Sequence, residues 1–203
     1  MFSAIKQIIQ QLPWQSKYTL PFILWAIAIG GVSIYAFIYK IDLGLTQQAI
    51  DNHQYELMLT GHLVHSNVNH LLLNLAGLLG IWALHGHYYS LKNLSLYCLI
   101  VIFSLSTVML MQASYSHYVG FSAVLHSLIA IGAILDIKHK ERGGILLLLG
   151  LIAKVSHEQF YGSDSSIETL IGTNVAIDAH LYGVIIGTVI GGSVWLRAAI
   201  AKK

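Results

Sequence analysis

Six long apolar runs recur along this chain, at about 18–39, 62–84, 91–113, 121–137, 143–157 and 176–196. A helix that crosses the hydrocarbon core of a bilayer needs about 20 apolar residues. Lipid offers nothing to hydrogen-bond an exposed backbone, so a run of this kind becomes a helix whose bonds are all internal. The runs therefore constrain the chain to an all-α polytopic membrane protein, a compact bundle of six transmembrane helices. Charge agrees: only 10% of the residues are charged, against roughly 25% in a soluble domain. The fourth and fifth runs are short. The fourth suffices if its outer end starts below the membrane surface, among other helices.

Basic residues orient the bundle. With the N-terminus inside, cytoplasmic segments hold Lys6, Lys17, Lys92, Lys138, Lys140, Arg142, Arg197, Lys202 and Lys203, nine of the eleven. Lys40 falls in an outer loop and Lys154 near the outer end of the fifth run. This positive-inside bias predicts an N-in, C-in topology. It divides the chain into a cytoplasmic segment (1–17), a six-helix domain (18–196) and a cytoplasmic tail (197–203). No cleavable signal peptide is evident, because the first run is long enough to remain as a span. The single cysteine, Cys98, precludes a disulfide within the chain. The outer loops, about 40–60 and 158–175, are expected to be polar connections, the second mobile.

Three stretches place polar groups inside apolar runs: His70-Leu-Leu-Leu-Asn74, Gly120-Phe-Ser122-Ala-Val-Leu-His126, and Ala179-His180-Leu-Tyr-Gly183 with Gly187 beyond. Such groups are costly in a membrane and start as functional-site candidates. The topology puts all three in the outer half. His70 and Asn74, four apart, share one helix face. Ser122 opens the fourth helix, and His180 lies about one turn into the sixth. A serine hydroxyl needs an adjacent base to act as a nucleophile, and histidine suits that task near neutral pH. Charge developing on an attacked carbonyl needs fixed donors. The Asn74 amide, a His70 ring N–H and the Ser122 backbone N–H are candidates. Gly120 permits a sharp turn before the serine. Gly183 and Gly187 leave room for two helices to approach closely.

These residues resemble the rhomboid family of intramembrane serine proteases. The family carries a His-x-x-x-Asn on the second helix, Gly-x-Ser-Gly opening the fourth, and Ala-His-x-x-Gly-x-x-x-Gly on the sixth. Order, spacing and topology match from residue 18 to 196. The resemblance implies a catalytic dyad of Ser122 and His180 with no acidic third member, and no cofactor or metal. A narrower likeness is to rhombosortases, a compact branch in Gram-negative bacteria. It rests on Thr60-Gly-His-Leu-Val-His65, Tyr118 to His126, Arg142-Gly-Gly144, His157 to Gly162 and Asp178-Ala-His-Leu-Tyr182. It implies a transmembrane substrate with a glycine-rich C-terminal anchor, contact with membrane lipid, no nucleic acid, and residence in the bacterial inner membrane with the site facing the periplasm. Two departures stand out. Ala123 occupies the usual position of a glycine, so the turn must close with ordinary dihedrals, and the first outer loop lacks a Trp-Arg pair.

Other residues have plainer roles open to them. His126 lies one turn below Ser122 and either tunes the site or packs. His65 is expected to brace the first outer loop. Glu158 and Gln159 border the outer mouth, where they could touch substrate. Asp178 is two residues from His180 and points away from it. The eleven histidines suggest a metal transporter, but intramembrane carboxylates to complete a transport site are missing, and His157-Glu158 lacks the second histidine of a zinc-protease motif. A general rhomboid protease for single-span proteins, an inactive rhomboid-like helix-binding protein and a serine-dependent acyltransferase remain alternatives.

Overall fold

The computed structural model describes residues 9–112 and 116–201; Lys6, Lys202 and Lys203 lie outside them. The apolar runs become α1 (Ser16–Tyr39), α4 (Val68–His85), α5 (Leu91–Gln112), α6 (Ser122–His139), α7 (Gly143–Tyr161) and α9 (Ile177–Ile200). Short helices α2 (Gln47–Asp51), α3 (Leu57–Leu63) and α8 (Ser165–Ile171) lie in the connections. The all-α membrane bundle stands. Among the described residues, five helices are long and apolar enough to cross a membrane, and α7 is not one of them. It has 19 residues, but Lys154, His157, Glu158 and Gln159 crowd its last two turns and lower its apolarity.

α6 is the central helix. Most of its residues from Ala123 to Leu135 are buried, and it packs most extensively on α9, then on α7 and α4. Apolar side chains on the outer helices stay exposed, among them Ile27, Ile38, Leu72, Leu79, Leu146 and Val189. A surface this apolar marks contact with lipid. Successive helices bring Lys17, Lys92, Lys138, Lys140, Arg142 and Arg197 to one end of the bundle. The first turns of α6 and α9 lie at the other.

Two boundaries differ from the hydropathy reading, for the same reason. The second span begins at Val68 rather than 62, because the Asn67 side chain accepts the His70 backbone N–H at 2.8 Å and caps the helix. His62 and Leu63 belong to α3 instead. The 158–175 segment is not a loop throughout. α7 runs on to Tyr161, so Glu158 is helical, and Asp164 caps α8 by accepting the Ser166 N–H at 2.8 Å. Gly172, at φ +70°, ends α8.

The connection between α1 and α4 is tied down at several points. Leu45 and Tyr118 exchange both backbone hydrogen bonds at 2.9 Å, and the Gly120 N–H donates to the Gly61 carbonyl at 3.0 Å. The loop thus holds the strand-like approach to Ser122. Its other side is fastened to α1. The Ser33 hydroxyl donates to the Leu63 carbonyl at 2.9 Å and meets His65 Nδ1 at 2.9 Å. His65 braces the loop as expected.

Candidate active site

Ser122 is the first residue of α6. Gly120 turns the chain into it at φ +119°, a conformation that side chains with a Cβ rarely adopt. Ala123 is not among the positive-φ residues, so the turn closes without a glycine there. His180 sits in the first turn of α9, and its Nε2 lies 2.9 Å from Ser122 Oγ. The glycines make this approach possible. A Cβ on Gly183 would overlap the Ala123 carbonyl, and one on Gly187 would overlap the Ser127 carbonyl. The Ser127 hydroxyl donates to the Gly183 carbonyl at 2.6 Å and holds the two helices in register.

The other face of His180 is occupied. Its Nδ1 lies 3.0 Å from Glu158 Oε2. The second carboxylate oxygen, Oε1, accepts from Lys154 Nζ at 2.7 Å, one turn earlier on α7. Glu158 therefore sits on the far nitrogen of His180, whereas the resemblance implied that no acidic residue stands there. Gln159, its neighbour, is exposed and does not line the cavity. The Lys154-x-x-x-Glu158 spacing signals the ion pair in sequence. Nothing in the sequence signals that it faces α9.

His126 is part of the same cluster. Its ring stacks on that of His180, with centroids 4.1 Å apart and planes at 16°. Its Nδ1–H donates to the Ser122 carbonyl at 2.7 Å. The carboxylate bonded to the His180 ring is that of Glu158 on α7.

His70 and Asn74 line the opposite wall. The Ser66 hydroxyl has one proton and gives it to the Ile171 carbonyl at 2.6 Å. His70 Nδ1, 3.0 Å from Ser66 Oγ, must then be the donor of that pair. In a neutral His70 ring the lone pair would then sit on Nε2, and the ring N–H expected for an oxyanion would be the one bonded to Ser66. Nε2 and Cε1 press on Gly120, where a Cβ would come within 2.8 Å of both. His70 thus wedges the turn before Ser122. His65 meets it edge-on, at a centroid distance of 4.8 Å. Burial, and then the neighbouring His70, push His65 down to about 3, so it is neutral in this connection between α3 and α4.

Asn74 gives one amide N–H to the His70 carbonyl at 2.9 Å and has a second to offer. Its Oδ1 is buried without a hydrogen-bond partner among the described residues. A further donor set lies at the start of α6. That helix has no side-chain cap, and its ladder begins with Leu125 N–H to the Phe121 carbonyl at 3.1 Å. The N–H groups ahead of it are those that a helix start leaves without an internal partner, at the positive end of the helix dipole.

These groups surround a cavity of about 670 Å³ lined by His70, Asn74, Ser122, His126, Lys154 and His180. The arrangement has a serine hydroxyl bonded to an imidazole, that imidazole bonded to a carboxylate, and amide N–H groups lining the same cavity. That is the geometry of acyl transfer. The ligand atoms of His126, Glu158 and His180 also lie within 4.8 Å of one another, close enough to hold a metal ion. Lys154 opposes a cation there, since its ammonium already takes one oxygen of the only carboxylate in the group.

The family model of the rhomboid domain matches residues 52–197, a stretch that contains every one of these side chains. No curated protein and no solved structure matches the chain.

Proposed function

The chain belongs to the rhomboid family of intramembrane proteases, and from that membership we propose that it is a serine endopeptidase of the bacterial inner membrane that removes glycine-rich C-terminal anchors from exported proteins. The observation that carries the reading is the 2.9 Å contact between Ser122 Oγ and His180 Nε2 inside the cavity.

The chemistry follows from the geometry. Ser122 Oγ attacks the substrate carbonyl carbon while its proton passes to His180 Nε2. The new oxyanion is met by the first-turn N–H groups of α6 and by the free N–H of Asn74. Collapse of the tetrahedral intermediate expels the amine, which takes the proton back from His180. A water then repeats the cycle on the acyl-enzyme and frees Ser122.

A Gly-Gly anchor suits this site for a physical reason. A transmembrane helix hides its scissile bonds within i→i−4 hydrogen bonds. Glycine costs about 1 kcal/mol of helix stability per residue. A glycine pair at the top of an anchor helix therefore unwinds readily and presents an extended strand. The basic end of the bundle fits a cytoplasmic location, which would place the cavity on the periplasmic side.

The test is cleavage in proteoliposomes of two substrates, one with a Gly-Gly C-terminal anchor and one generic single-span protein, by wild type and Ser122→Ala. Serine-dependent cleavage of the Gly-Gly anchor alone is expected. Cleavage of both would assign a general protease for single-span proteins. Cleavage of neither would move the assignment to helix binding without hydrolysis.

A further inference from the structure

We propose that Glu158 is a positioning residue that locks His180 in the one tautomer able to serve Ser122, and that Lys154 enforces this by claiming the other carboxylate oxygen. The proposal rests on the hydrolase reading given above and extends it from a pair of residues to a relay of three.

Imidazole has two distinct nitrogens, and the partner of one decides the protonation of the other. To take the Ser122 proton, Nε2 must be bare, so the proton of neutral His180 must sit on Nδ1. Glu158 Oε2, at 3.0 Å, accepts that proton. A carboxylate has no proton to give, so the reverse arrangement is excluded. Both groups are shielded, with His180 7% and Glu158 13% exposed in their side chains, and in such surroundings a hydrogen bond is less contested by water. The other polar groups around the ring do not compete for Nδ1. His126 stacks on its face and directs its own Nδ1–H to the Ser122 carbonyl. His70 directs Nδ1 to Ser66. Lys154 is bound to Glu158 Oε1.

When Nε2 takes the serine proton, the Nδ1 proton stays on the ring. The imidazolium so formed faces a carboxylate on one side and the new oxyanion region on the other. Glu158 therefore orients the base and balances its charge without itself exchanging a proton, as the acidic member of a serine-protease triad does.

Lys154 makes the arrangement unusually testable. In Glu158→Gln, the ammonium can only donate and needs an acceptor, so the amide oxygen stays with Lys154. The amide NH2 then faces His180 Nδ1 and demands a bare nitrogen there. The ring proton must move to Nε2, where it blocks the transfer from Ser122. Removing Lys154 releases the amide to turn over, and its oxygen can again accept from Nδ1.

The experiment measures turnover of a cleaved anchor substrate by wild type, Glu158→Gln, Lys154→Met and the double variant, alongside ¹⁵N NMR of His180 in detergent. Glu158→Gln is expected to lower kcat by about 10²–10⁴-fold with KM little changed, in line with the wrong-tautomer effect known for an acid-to-amide change in a triad. The His180 proton should move from Nδ1 to Nε2 in the same variant. The double variant should regain roughly tenfold or more of the lost kcat and restore the Nδ1 proton, a rescue that loss of packing would not give. Full turnover in Glu158→Gln, or a His180 tautomer that is the same in all four proteins, overturns the proposal. The NMR readout needs no substrate, so it judges Glu158 even if wild type cleaves nothing and the hydrolase reading fails.

Discussion

Gly183 on α9 lies so close to Ala123 on α6 that its missing Cβ is what lets the two backbones touch. The Ser122–His180 bond depends on that contact, because His180 is one turn earlier on the same face of α9. Gly183→Leu would force the helices apart. Overpacking a tight site costs roughly 1–3 kcal/mol, and here the clash is with backbone, which cannot rotate away. The variant should show a lower unfolding temperature in detergent and no measurable cleavage. Wild-type values for both would show that the helices are not held at this distance.

Ser122→Ala separates chemistry from folding. The side-chain oxygen bonds His180 and no other described residue, and alanine is a good helix residue. Turnover should fall by at least about 10⁴-fold, the scale seen when a serine nucleophile is removed. The unfolding temperature should stay within a degree or two. Residual serine-independent cleavage near the wild-type rate would assign the nucleophile elsewhere.

His126 supports the reactive pair from below. His126→Phe keeps a flat ring against His180 but removes the N–H that holds the Ser122 carbonyl. We expect kcat to drop about tenfold, consistent with roughly 1 kcal/mol for one hydrogen bond, with KM unchanged. His126→Ala also leaves a hole beneath the His180 ring. It should lower the unfolding temperature as well, because cavity formation costs about 2–5 kcal/mol in large-to-small core changes. Equal kcat in wild type and His126→Phe would reduce His126 to a packing residue.

Much of this was legible in the residues. Apolar runs located the long helices, and the alternation of helix directions brought Ser122 and His180 to one depth. The glycine spacing on α9 announced the close approach to α6. What hydropathy could not give is rotation. On a lipid-facing helix both faces are apolar, so periodicity does not say which side meets protein. Glu158 and Gln159 are adjacent in sequence and about 100° apart around α7, yet one bonds His180 and the other is exposed. Nor could hydropathy see helix starts chosen by caps: Asn67 delays α4 to Val68, and Asp164 creates α8 inside a segment that reads as polar loop. The donor role expected of His70 turns on a single proton: Ser66 gives its own to Ile171, which places the proton of a neutral His70 ring on Nδ1.

Asn74 should show function and stability pulling apart. Its second amide N–H is free to meet an oxyanion, while its Oδ1 is buried with no hydrogen-bond partner among the described residues. An unpartnered buried carbonyl is a standing cost of about 1–3 kcal/mol. Asn74→Ala removes that cost along with the donor. The variant should cleave about 10²–10³-fold more slowly, the usual loss for one oxyanion donor, with most of the change in kcat. It should unfold no more easily than wild type, and at a higher temperature if relief of Oδ1 outweighs the lost bond to His70. Cleavage kinetics and thermal melts on the same preparation check both halves. A variant that lost stability and kept its kcat would show Asn74 to be a structural residue, and would leave the α6 first-turn N–H groups as the whole of the oxyanion site.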